Sequence, residues 1–345
     1  MQWTKELMHW YATNKRNFPW REDKNPYKIW LSEIIMQQTR VAQGMPYYNA
    51  FVQHYPTVND LAKAPEDEIL KLWQGLGYYS RARNLHAAAK YIVETRQGIF
   101  PNTFKELLML KGVGDYTASA IASISFDEPQ AVVDGNVYRF LSRCFGMDTP
   151  IDSNGAHKIF KAKATALMDK DRPGDFNQAM MEFGALQCTP KATDCTACPF
   201  LSHCIAHQQG RVAVLPVKQK KGKVKERFFN FLVCVTPQNE ILLEKRKTKG
   251  IWQNLWQFPL IESTKLLGQK ELAKHSDFQK TVASSPYRLK LENKEPQKHL
   301  LSHQRLWIQF WQVESSGFQK KGIPLKDLHA YAVPVPIAQY VQSHF

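Results

Sequence analysis

The chain has 345 residues, and its 46 Lys and Arg side chains outnumber its 31 Asp and Glu side chains, which gives a formal net charge of +15. This length corresponds to about two domains, each large enough to bury its own core. Apolar residues form 43% of the chain and charged residues 22%, which excludes a largely disordered protein. The basic excess favours a polyanionic partner, although a charge of this size also keeps proteins soluble.

Targeting signals are not evident in the sequence. No window approaches the ~18 apolar residues that a membrane-spanning helix needs, and the first residues lack the apolar core of a signal peptide. We therefore expect a cytoplasmic protein that does not contact membranes. The six cysteines are too few for a secreted disulfide framework.

The first ~200 residues have the apolar spacing of short helices separated by proline-containing breaks. In one of them, Glu33 lies in the largely apolar stretch Ile29–Met36. Burial there would raise the pKa of its carboxyl group and keep a proton available near neutral pH. The alternative is an ordinary helix glutamate that is exposed or paired with a basic residue. The coarse result is an all-α domain over residues 1–206.

Two glycines, Gly112 and Gly114, form a Gly-x-Gly turn between apolar helical segments. Glycine permits a positive φ and close backbone approach, and the amides at the start of the next helix can bind a phosphate. An ordinary helix–helix turn is the alternative. The flanking apolar spacing, from Phe104 to Leu110 and from Thr117 to Ile121, favours a helix-hairpin-helix DNA-binding element.

Asp134 follows three apolar residues and precedes Gly135 and Asn136. Its simplest interpretation is a helix N-cap, which accepts hydrogen bonds from the first backbone amides of a helix. A carboxylate at this point can also take part in chemistry, and the two roles are compatible.

Four cysteines lie within 17 residues, with the spacing Cys188-x6-Cys195-x2-Cys198-x5-Cys204. Four thiolates on short loops can bind one iron–sulfur cluster. Structural zinc with His203 or His207 as an alternative ligand is the rival interpretation, and free thiols are the third.

A basic segment follows, and residues 207–227 are predicted to be a linker that is either solvated or in contact with phosphates. Beyond it, residues 228–236, 241–246 and 307–313 have the composition of strands. We therefore predict a separate α+β domain over residues 228–345.

The hairpin, the Asp134 segment and the cysteine loop occur in the order found in the helix-hairpin-helix DNA glycosylases with an iron–sulfur loop, such as endonuclease III, which the chain resembles. Within this superfamily, the chain most resembles the MutY-type adenine DNA glycosylases, and the resemblance covers residues 5–205. It is carried by Phe18–Arg21 (FPWR), Trp30–Val41 (WLSEIIMQQTRV) and Gly75–Asn84 (GLGYYSRARN). Residues 252–262 are similar to the start of a Nudix domain, but the pyrophosphatase signature that should follow is absent.

The resemblance implies an enzyme of base-excision repair that removes adenine opposite 8-oxoguanine or guanine in duplex DNA, bound as a monomer to nucleoid DNA. Its cofactor would be a [4Fe–4S] cluster on Cys188, Cys195, Cys198 and Cys204. Glu33 would protonate adenine N7, Asp134 would stabilise the cationic sugar, and Asn136 would position this chemistry. Where strand-cleaving members carry a lysine after the Gly-x-Gly turn, this chain has Tyr116, which implies base removal without strand scission.

The resemblance also assigns binding residues. A flipped adenine would be lined by Arg16, Trp20, Met36 and Glu182, while Gln37 or Gln38 fills the gap in the duplex. Tyr78, Ser302 and His303 would contact 8-oxoguanine, although Leu301 replaces the usual aromatic residue of that motif. The expected DNA contacts are Gly112, Gly114, Lys111, Arg81, Arg83 and Arg139. Core packing for Trp20 and Tyr78, and a structural role for His303, are the alternatives.

Two other functions remain open at this point. One is a bifunctional endonuclease III-like enzyme acting on oxidised pyrimidines, which Tyr116 and the added C-terminal domain disfavour. The other is a noncatalytic DNA-binding protein on the same scaffold, which the intact Glu33 and Asp134 disfavour.

Overall fold

The computed structural model describes residues 2–219, 224–283, 285–315 and 317–345. Contacts divide the chain into two compact units. Unit 1 comprises Met1–Lys63 and Asn84–Lys220, and unit 2 comprises Ala64–Arg83 and Lys221–Phe345. Residues 220–223 of the predicted linker lie outside the described residues. Among the described helices, none is long and apolar enough to cross a membrane.

Unit 1 is helical, as the apolar spacing predicts. Its helices are α1 (Gln2–Asn14), α2 (Pro26–Met36), α3 (Val41–His54), α4 (Val58–Lys63), most of α6 (Ser80–Arg96), α7 (Phe104–Leu107), α8 (Asp115–Phe126), α9 (Gly135–Cys144), α10 (Ala156–Leu167), α11 (Pro173–Leu186) and α12 (Ile205–Gln208). The helix α5 (Glu66–Leu72) and the first turn of α6 belong to unit 2. Single-turn 3-10 helices span Pro19–Arg21 and Leu201–His203.

An aromatic core joins the N-terminal helix to the helices around the cysteine loop. Phe183 of α11 packs its ring edge-on against Trp10 of α1 at 4.7 Å and lies 4.3 Å from the ring of Phe140 in α9. Phe200, which lies between two of the clustered cysteines, contacts Phe140 and Phe183 at 5.5 and 5.1 Å. The loop is therefore anchored to the same core as α9, the helix that Asp134 begins.

The predicted linker residues that the structure describes pack partly against unit 1. Val217 accepts a backbone hydrogen bond from Ile151 at 3.0 Å, and Leu215 accepts one from the Arg143 side chain at 3.1 Å. The last basic residues, from Lys225 onward, form the first strand of unit 2.

The C-terminal part of unit 2 combines strands and helices, as predicted. Its described strands are β1 (Lys225–Val235), β2 (Glu240–Ile241), β3 (Glu244–Lys245), β4 (Trp256–Gln257), β5 (Leu260–Ser263), β6 (Tyr287–Leu291), β7 (Gln297–Leu300), β8 (Gln304–Ser315) and β9 (Ile323–Pro324), and its helices are α13 (Gln269–Ala273), α14 (Ser276–Val282) and α15 (Val335–His344). A 3-10 helix covers Leu325–Ala330.

The long strands β1 and β8 pair in parallel at the centre of the main sheet, with Phe231 opposite Phe310. The strands β6 and β7 pair antiparallel with β8, β5 and β2 pair antiparallel with β1, and β9 extends the sheet beyond β2. The continuous strand predicted over residues 241–246 is wrong, because its ends belong to different sheets. Ile241 lies in the main sheet, whereas Glu244 and Lys245 pair with β4 in a separate ribbon.

Candidate active site

Glu33 lies in the middle of α2. Pro26 occupies the first turn of that helix, and the Asn25 side chain caps it by accepting hydrogen bonds from the amides of Tyr27 and Lys28 at 3.0 and 3.3 Å. Apolar neighbours such as Ile34 and Ile35 are buried. The helix therefore presents a partly buried carboxyl group from a rigid apolar element.

Burial raises the pKa of Glu33 to about 7, because the surrounding protein stabilises a charged carboxylate less than water does. A hydrogen bond with Tyr116 and the positive charge of Arg21 lower this pKa in part, while the nearby Asp134 raises it. A substantial fraction of Glu33 is consequently protonated at neutral pH. This is the property of a general acid.

Asp134 is the N-cap of α9, as its sequence position predicts. Its Oδ1 accepts hydrogen bonds from the amides of Asn136 at 2.9 Å and Val137 at 2.8 Å. Burial raises the pKa of this carboxyl group, and those hydrogen bonds offset part of the effect. Its second oxygen accepts a hydrogen bond from the side-chain amide of Asn136 at 2.8 Å. Asp134 is therefore held in one orientation, in the same site as Glu33.

Arg139 orients the side chain of Asn136. Its Nη2 donates to Asn136 Oδ1 at 2.8 Å and to the Gly184 carbonyl at 2.5 Å, while its Nε donates to the Cys188 carbonyl at 2.7 Å. The side chain is buried. The structure thus corrects the prediction that Arg139 contacts DNA phosphates, because its donors bind groups inside the protein.

Tyr116 belongs to the first turn of α8 and lies beside Glu33. Burial, together with the neighbouring Glu33 and Asp134, raises the pKa of its hydroxyl group well above the usual value, so the phenol is neutral. The hydroxyl also donates to Met181 Sδ at 3.4 Å. A neutral phenol at this point can orient a carboxyl group, but it cannot form the Schiff base of an amine.

Two of the predicted pocket residues, Arg16 and Glu182, form an ion pair that Arg21 joins, and the Glu182 carboxylate is buried. Glu182 accepts a bidentate pair of hydrogen bonds from Arg16 at 2.7 and 2.9 Å and another from Arg21 at 3.1 Å. Burial alone would raise the pKa of Glu182, but the two guanidinium groups lower it below its usual value. Trp20 is buried and stacks on Phe18 at 4.9 Å. Sequence reasoning missed Arg21, although it ends the quoted FPWR motif.

The C-terminal end of α2 carries the remaining candidates of unit 1. Met36 packs closely against Gly44. A Cβ added at Gly44 would lie 2.5 Å from the sulfur of Met36. Gln37 donates to the hydroxyl of Thr117 at 3.3 Å. Gln38 is exposed and has a positive φ of 55°. A non-glycine residue in that conformation is uncommon and marks a sharp turn after the helix.

The hairpin between α7 and α8 has the geometry that its glycines predict. Gly112 has φ of 82°, and a Cβ there would lie 2.7 Å from the Asn84 side chain, so both the conformation and the close approach favour glycine. Gly114 is the N-cap of α8 and provides no side-chain cap. Lys111, Gly112 and Gly114 are exposed. The amides of this helix start can therefore bind an anion.

The four clustered cysteines line one cavity. Its other walls include the buried rings of Phe140, Phe183 and Phe200 and the side chain of His207. Cys188, Cys195 and Cys204 are close enough to Cys198 for their charges to help burial raise the pKa of its thiol to about 11. In the described part of the chain, no three His, Cys, Asp or Glu side chains already stand at the distances of ligands to one metal ion.

Sequence reasoning missed the arginine that closes this cavity. Arg143 donates to the Thr189 carbonyl at 2.7 Å, to the Thr193 hydroxyl at 3.1 Å and to Cys188 Sγ at 3.5 Å. It lies four residues after Arg139 on α9, so the two side chains share one helix face. The thiol-lined cavity, apolar walls and cationic donors fit a cluster with thiolate ligands.

Unit 2 brings together two of the residues predicted to contact the opposite base. The hydroxyl of Tyr78, whose side chain is 44% exposed, forms a hydrogen bond with the hydroxyl of Ser302. His303 is exposed beside Ser302 in the turn between β7 and β8. The structure corrects the predicted phosphate contact of Arg81, whereas the contact predicted for the partly exposed Arg83 stays a prediction. Arg81 is buried and donates to the Gly77 carbonyl at 3.2 Å, and Arg83 donates to the Gln253 carbonyl at 2.7 Å.

Comparisons with known proteins match two families to different parts of the chain. Residues 31–164 match the HhH-GPD superfamily of base excision DNA repair proteins, and residues 230–343 match the NUDIX domain. An adenine DNA glycosylase of Buchnera aphidicola (subsp. Schizaphis graminum) is 39% identical over 258 residues, which are 73% of this chain and 73% of that protein. The chain belongs to the adenine DNA glycosylase family. It is an enzyme of the glycosylase class, whose members hydrolyse N-glycosidic bonds.

Other adenine DNA glycosylases are longer than the region they share with this chain. The human protein is 35% identical over 321 residues, 77% of this chain and 59% of the human sequence. The rat protein is 46% identical over 226 residues, 61% of this chain and 43% of the rat sequence.

Solved structures share the helical fold of this family member. A thermostable thymine-DNA glycosylase has a TM-score of 0.56 at 30% identity, covering 60% of this chain and 96% of that structure. An endonuclease III in a non-covalent DNA complex has a TM-score of 0.53 at 21% identity, covering 61% of this chain and 95% of that structure.

Proposed function

We propose that this enzyme removes adenine mispaired with 8-oxoguanine or guanine in duplex DNA, as a monofunctional glycosylase of base-excision repair. The observation that carries this proposal is the pairing of two carboxyl groups in one site, of which Glu33 has a pKa raised to about 7. The relatives named adenine DNA glycosylase supply the substrate base. We further propose that the enzyme acts as a monomer on DNA of the nucleoid.

Breaking the bond between deoxyribose C1′ and adenine N9 leaves an electron pair on the purine and positive charge on the sugar. Glu33 donates its proton to adenine N7, so that the base leaves as a neutral molecule. Asp134, held by the amides of Asn136 and Val137, stabilises the cationic sugar. Water then supplies the hydroxyl group at C1′ and returns a proton to Glu33. The logic is that of a glycosidase with two carboxylates.

The flipped adenine would lie in the pocket around Arg16, Trp20, Met36 and Glu182. Because Glu182 is held ionised by Arg16 and Arg21, it can accept a hydrogen bond from an amino group. Gln37 or Gln38 would fill the gap that the base leaves. The backbone at Gly112 and Gly114, with Lys111 beside it, would hold a phosphate of the duplex.

The base opposite adenine would be recognised by Tyr78, Ser302 and His303. The exposed ring of Tyr78 can stack beside a base, and the Ser302 and His303 side chains can form hydrogen bonds with its edge. The hydrogen bond between Tyr78 and Ser302 supports a common surface for these contacts.

Cys188, Cys195, Cys198 and Cys204 would hold a [4Fe–4S] cluster. When bound, the cluster supplies four iron–thiolate bonds that cross-link the loop. Arg143 orients that loop through its hydrogen bonds to the Thr189 carbonyl and the Thr193 hydroxyl.

One assay tests the activity. The protein is incubated with duplexes that contain adenine opposite 8-oxoguanine, adenine opposite guanine, or thymine glycol, with and without alkali. Release of adenine with strand scission only after alkali supports the proposal. Scission at thymine glycol without alkali would instead indicate a bifunctional endonuclease III-like enzyme, and binding without base loss a noncatalytic protein.

A further inference from the structure

The segment 64–83 is flanked in sequence by unit 1 on both sides, yet its contacts assign it to unit 2. It contains α5 and the turn that ends at Tyr78. Sequence analysis predicted no interaction between this segment and the C-terminal strands. In the structure, residues at both ends of the segment form hydrogen bonds or ion pairs with the C-terminal part of unit 2.

Two acids of α5 bind side chains from the C-terminal part of unit 2. Glu66 accepts a hydrogen bond from the Asn254 side chain at 2.7 Å. Asp67 forms an ion pair with Lys245 through one oxygen and accepts a hydrogen bond from Trp256 Nε1 at 3.4 Å through the other. The Lys245–Asp67 pair is partly exposed, with 30% and 46% of the side chains accessible.

Further along the segment, side chains form hydrogen bonds with main-chain atoms of the C-terminal part of unit 2. Lys71 donates to the Tyr331 carbonyl at 3.2 Å, and Gln74 accepts from the Val333 amide at 3.2 Å. Arg83, after the Tyr78 turn, donates to the Gln253 carbonyl at 2.7 Å. The turn is thus held on both sides of Tyr78.

The turn at residues 252–254, which contacts Glu66 and Arg83, has an unusual backbone conformation. Trp252 and Asn254 have φ of 60° and 66°, in the left-handed region that costs energy for residues other than glycine. Arg246 holds the turn, since its carbonyl accepts from the Asn254 amide at 2.7 Å and its side chain donates to the Ile251 carbonyl at 3.1 Å. This conformation directs the backbone carbonyl of Gln253 and the side-chain amide of Asn254 toward residues 64–83.

We infer that Asp67 and Lys245 are positioning residues for reading the base opposite adenine, because their ion pair fastens α5, which leads into the Tyr78 turn, to the β3–β4 ribbon of the unit that also carries Ser302. This inference rests on the proposed role of Tyr78 and Ser302 in recognising that base. The pair contacts neither Glu33 nor Asp134, so its loss should alter discrimination between opposite bases and leave the bond-breaking step unchanged.

The test compares Lys245→Met, Asp67→Asn, the double variant and Lys245→Arg in the full-length protein. Two quantities are measured for duplexes with adenine opposite 8-oxoguanine or guanine. The first is the dissociation constant in a Glu33→Gln background, and the second is the single-turnover rate of adenine release at saturating protein.

We expect each single variant to reduce the preference for 8-oxoguanine over guanine by about fivefold, the scale of a partly exposed ion pair. The double variant should lose no more than either single variant, because both remove the same interaction, and Lys245→Arg should retain the preference. The saturating rate should stay unchanged. Lys265→Met is the matched control, since it removes the exposed Lys265–Glu271 pair of the same unit.

Two outcomes would overturn the inference. One is a folded Lys245→Met variant, with a thermal midpoint near that of the wild type, that keeps the full preference. The other is an equal loss of affinity for both duplexes, which would mean that the pair only stabilises the fold. If the wild-type protein itself shows no preference, the proposed recognition of 8-oxoguanine fails instead.

Discussion

Arg139 donates a hydrogen bond to the side-chain oxygen of Asn136 at 2.8 Å, and this bond directs the Asn136 amide group toward the carboxylate of Asp134. The same guanidinium group binds the carbonyl of Cys188, the first cysteine of the loop. The Asp134 carboxylate and the cysteine loop are consequently joined by three consecutive hydrogen bonds. A change in the loop should therefore alter the position of Asp134.

Replacement of Arg139 by lysine should break this connection while retaining the positive charge. One ammonium group cannot reproduce the fork that serves the Asn136 side chain and the carbonyls of Gly184 and Cys188. The loss of a charged hydrogen bond costs about 2 kcal/mol, so we expect an approximately 30-fold slower single-turnover release of adenine. Arg172→Lys, at an exposed position paired with Asp169, is the control. A wild-type rate in Arg139→Lys would contradict the proposed link.

Gly184 allows α11 to approach the start of α9. A Cβ at this position would lie 2.6 Å from the carbonyl oxygen of Asn136 and 2.7 Å from its Cβ. Gly184→Ala should therefore displace Asn136 and lower both the rate of adenine release and the thermal midpoint, with a cost of about 1–3 kcal/mol. Gly268→Ala, where the nearest atom would be 3.7 Å away, should alter neither quantity. Full activity of Gly184→Ala would show that Asn136 tolerates displacement.

The sequence was sufficient to predict the helical and α+β parts, because these follow from local apolar spacing, whereas apolar spacing left an ordinary helix glutamate open for Glu33 and only the family resemblance favoured a proton donor. The sequence was also sufficient to predict the cap formed by Asp134. It failed for Arg81 and Arg139, since arginine is usually exposed. The Arg81 guanidinium group instead folds back onto the carbonyls of Leu76 and Gly77, and that of Arg139 binds the distant carbonyls of Gly184 and Cys188. The strand predicted over residues 241–246 failed because alternation within a short segment does not specify which sheet each end joins.

The pairing of Lys245 with Asp67 could not have been predicted either. The two residues lie 178 positions apart, and neither belongs to a quoted motif. Arg143 is different, since its spacing of four residues from Arg139 on one helix was a usable signal.

Replacement of a cysteine should distinguish an iron–sulfur cluster from a structural zinc ion in the loop. Purified wild-type protein should contain about four iron atoms per chain and absorb near ~410 nm, as iron–sulfur proteins do. Cys198→Ser should lose both, whereas Cys234→Ser, at a buried position in the sheet of unit 2, should retain both. Stoichiometric zinc without iron would indicate a structural zinc site instead.

The elevated pKa of Glu33 also affects stability. A carboxyl group whose pKa is about 7 in the folded protein and near 4.5 in the unfolded chain destabilises the fold when ionised. The penalty is absent below the lower value, grows between the two and is complete above pH 7. Glu33→Gln should therefore stabilise the protein by about 3 kcal/mol at pH 8.5, but by less than about 1 kcal/mol at pH 5. Thermal unfolding at both pH values measures this difference, and an equal effect at both would contradict a buried, protonated Glu33.

The most direct test of the central claim is the pH dependence of adenine release in single turnover at subsaturating enzyme, which reports the pKa of the free protein. If Glu33 supplies the proton with a pKa of about 7, the rate should fall about tenfold per pH unit above pH 7, and Glu33→Gln should release no adenine while binding the mismatch duplex. A wild-type rate that stays constant from pH 6 to about pH 9, or near-normal turnover by Glu33→Gln, would contradict the account.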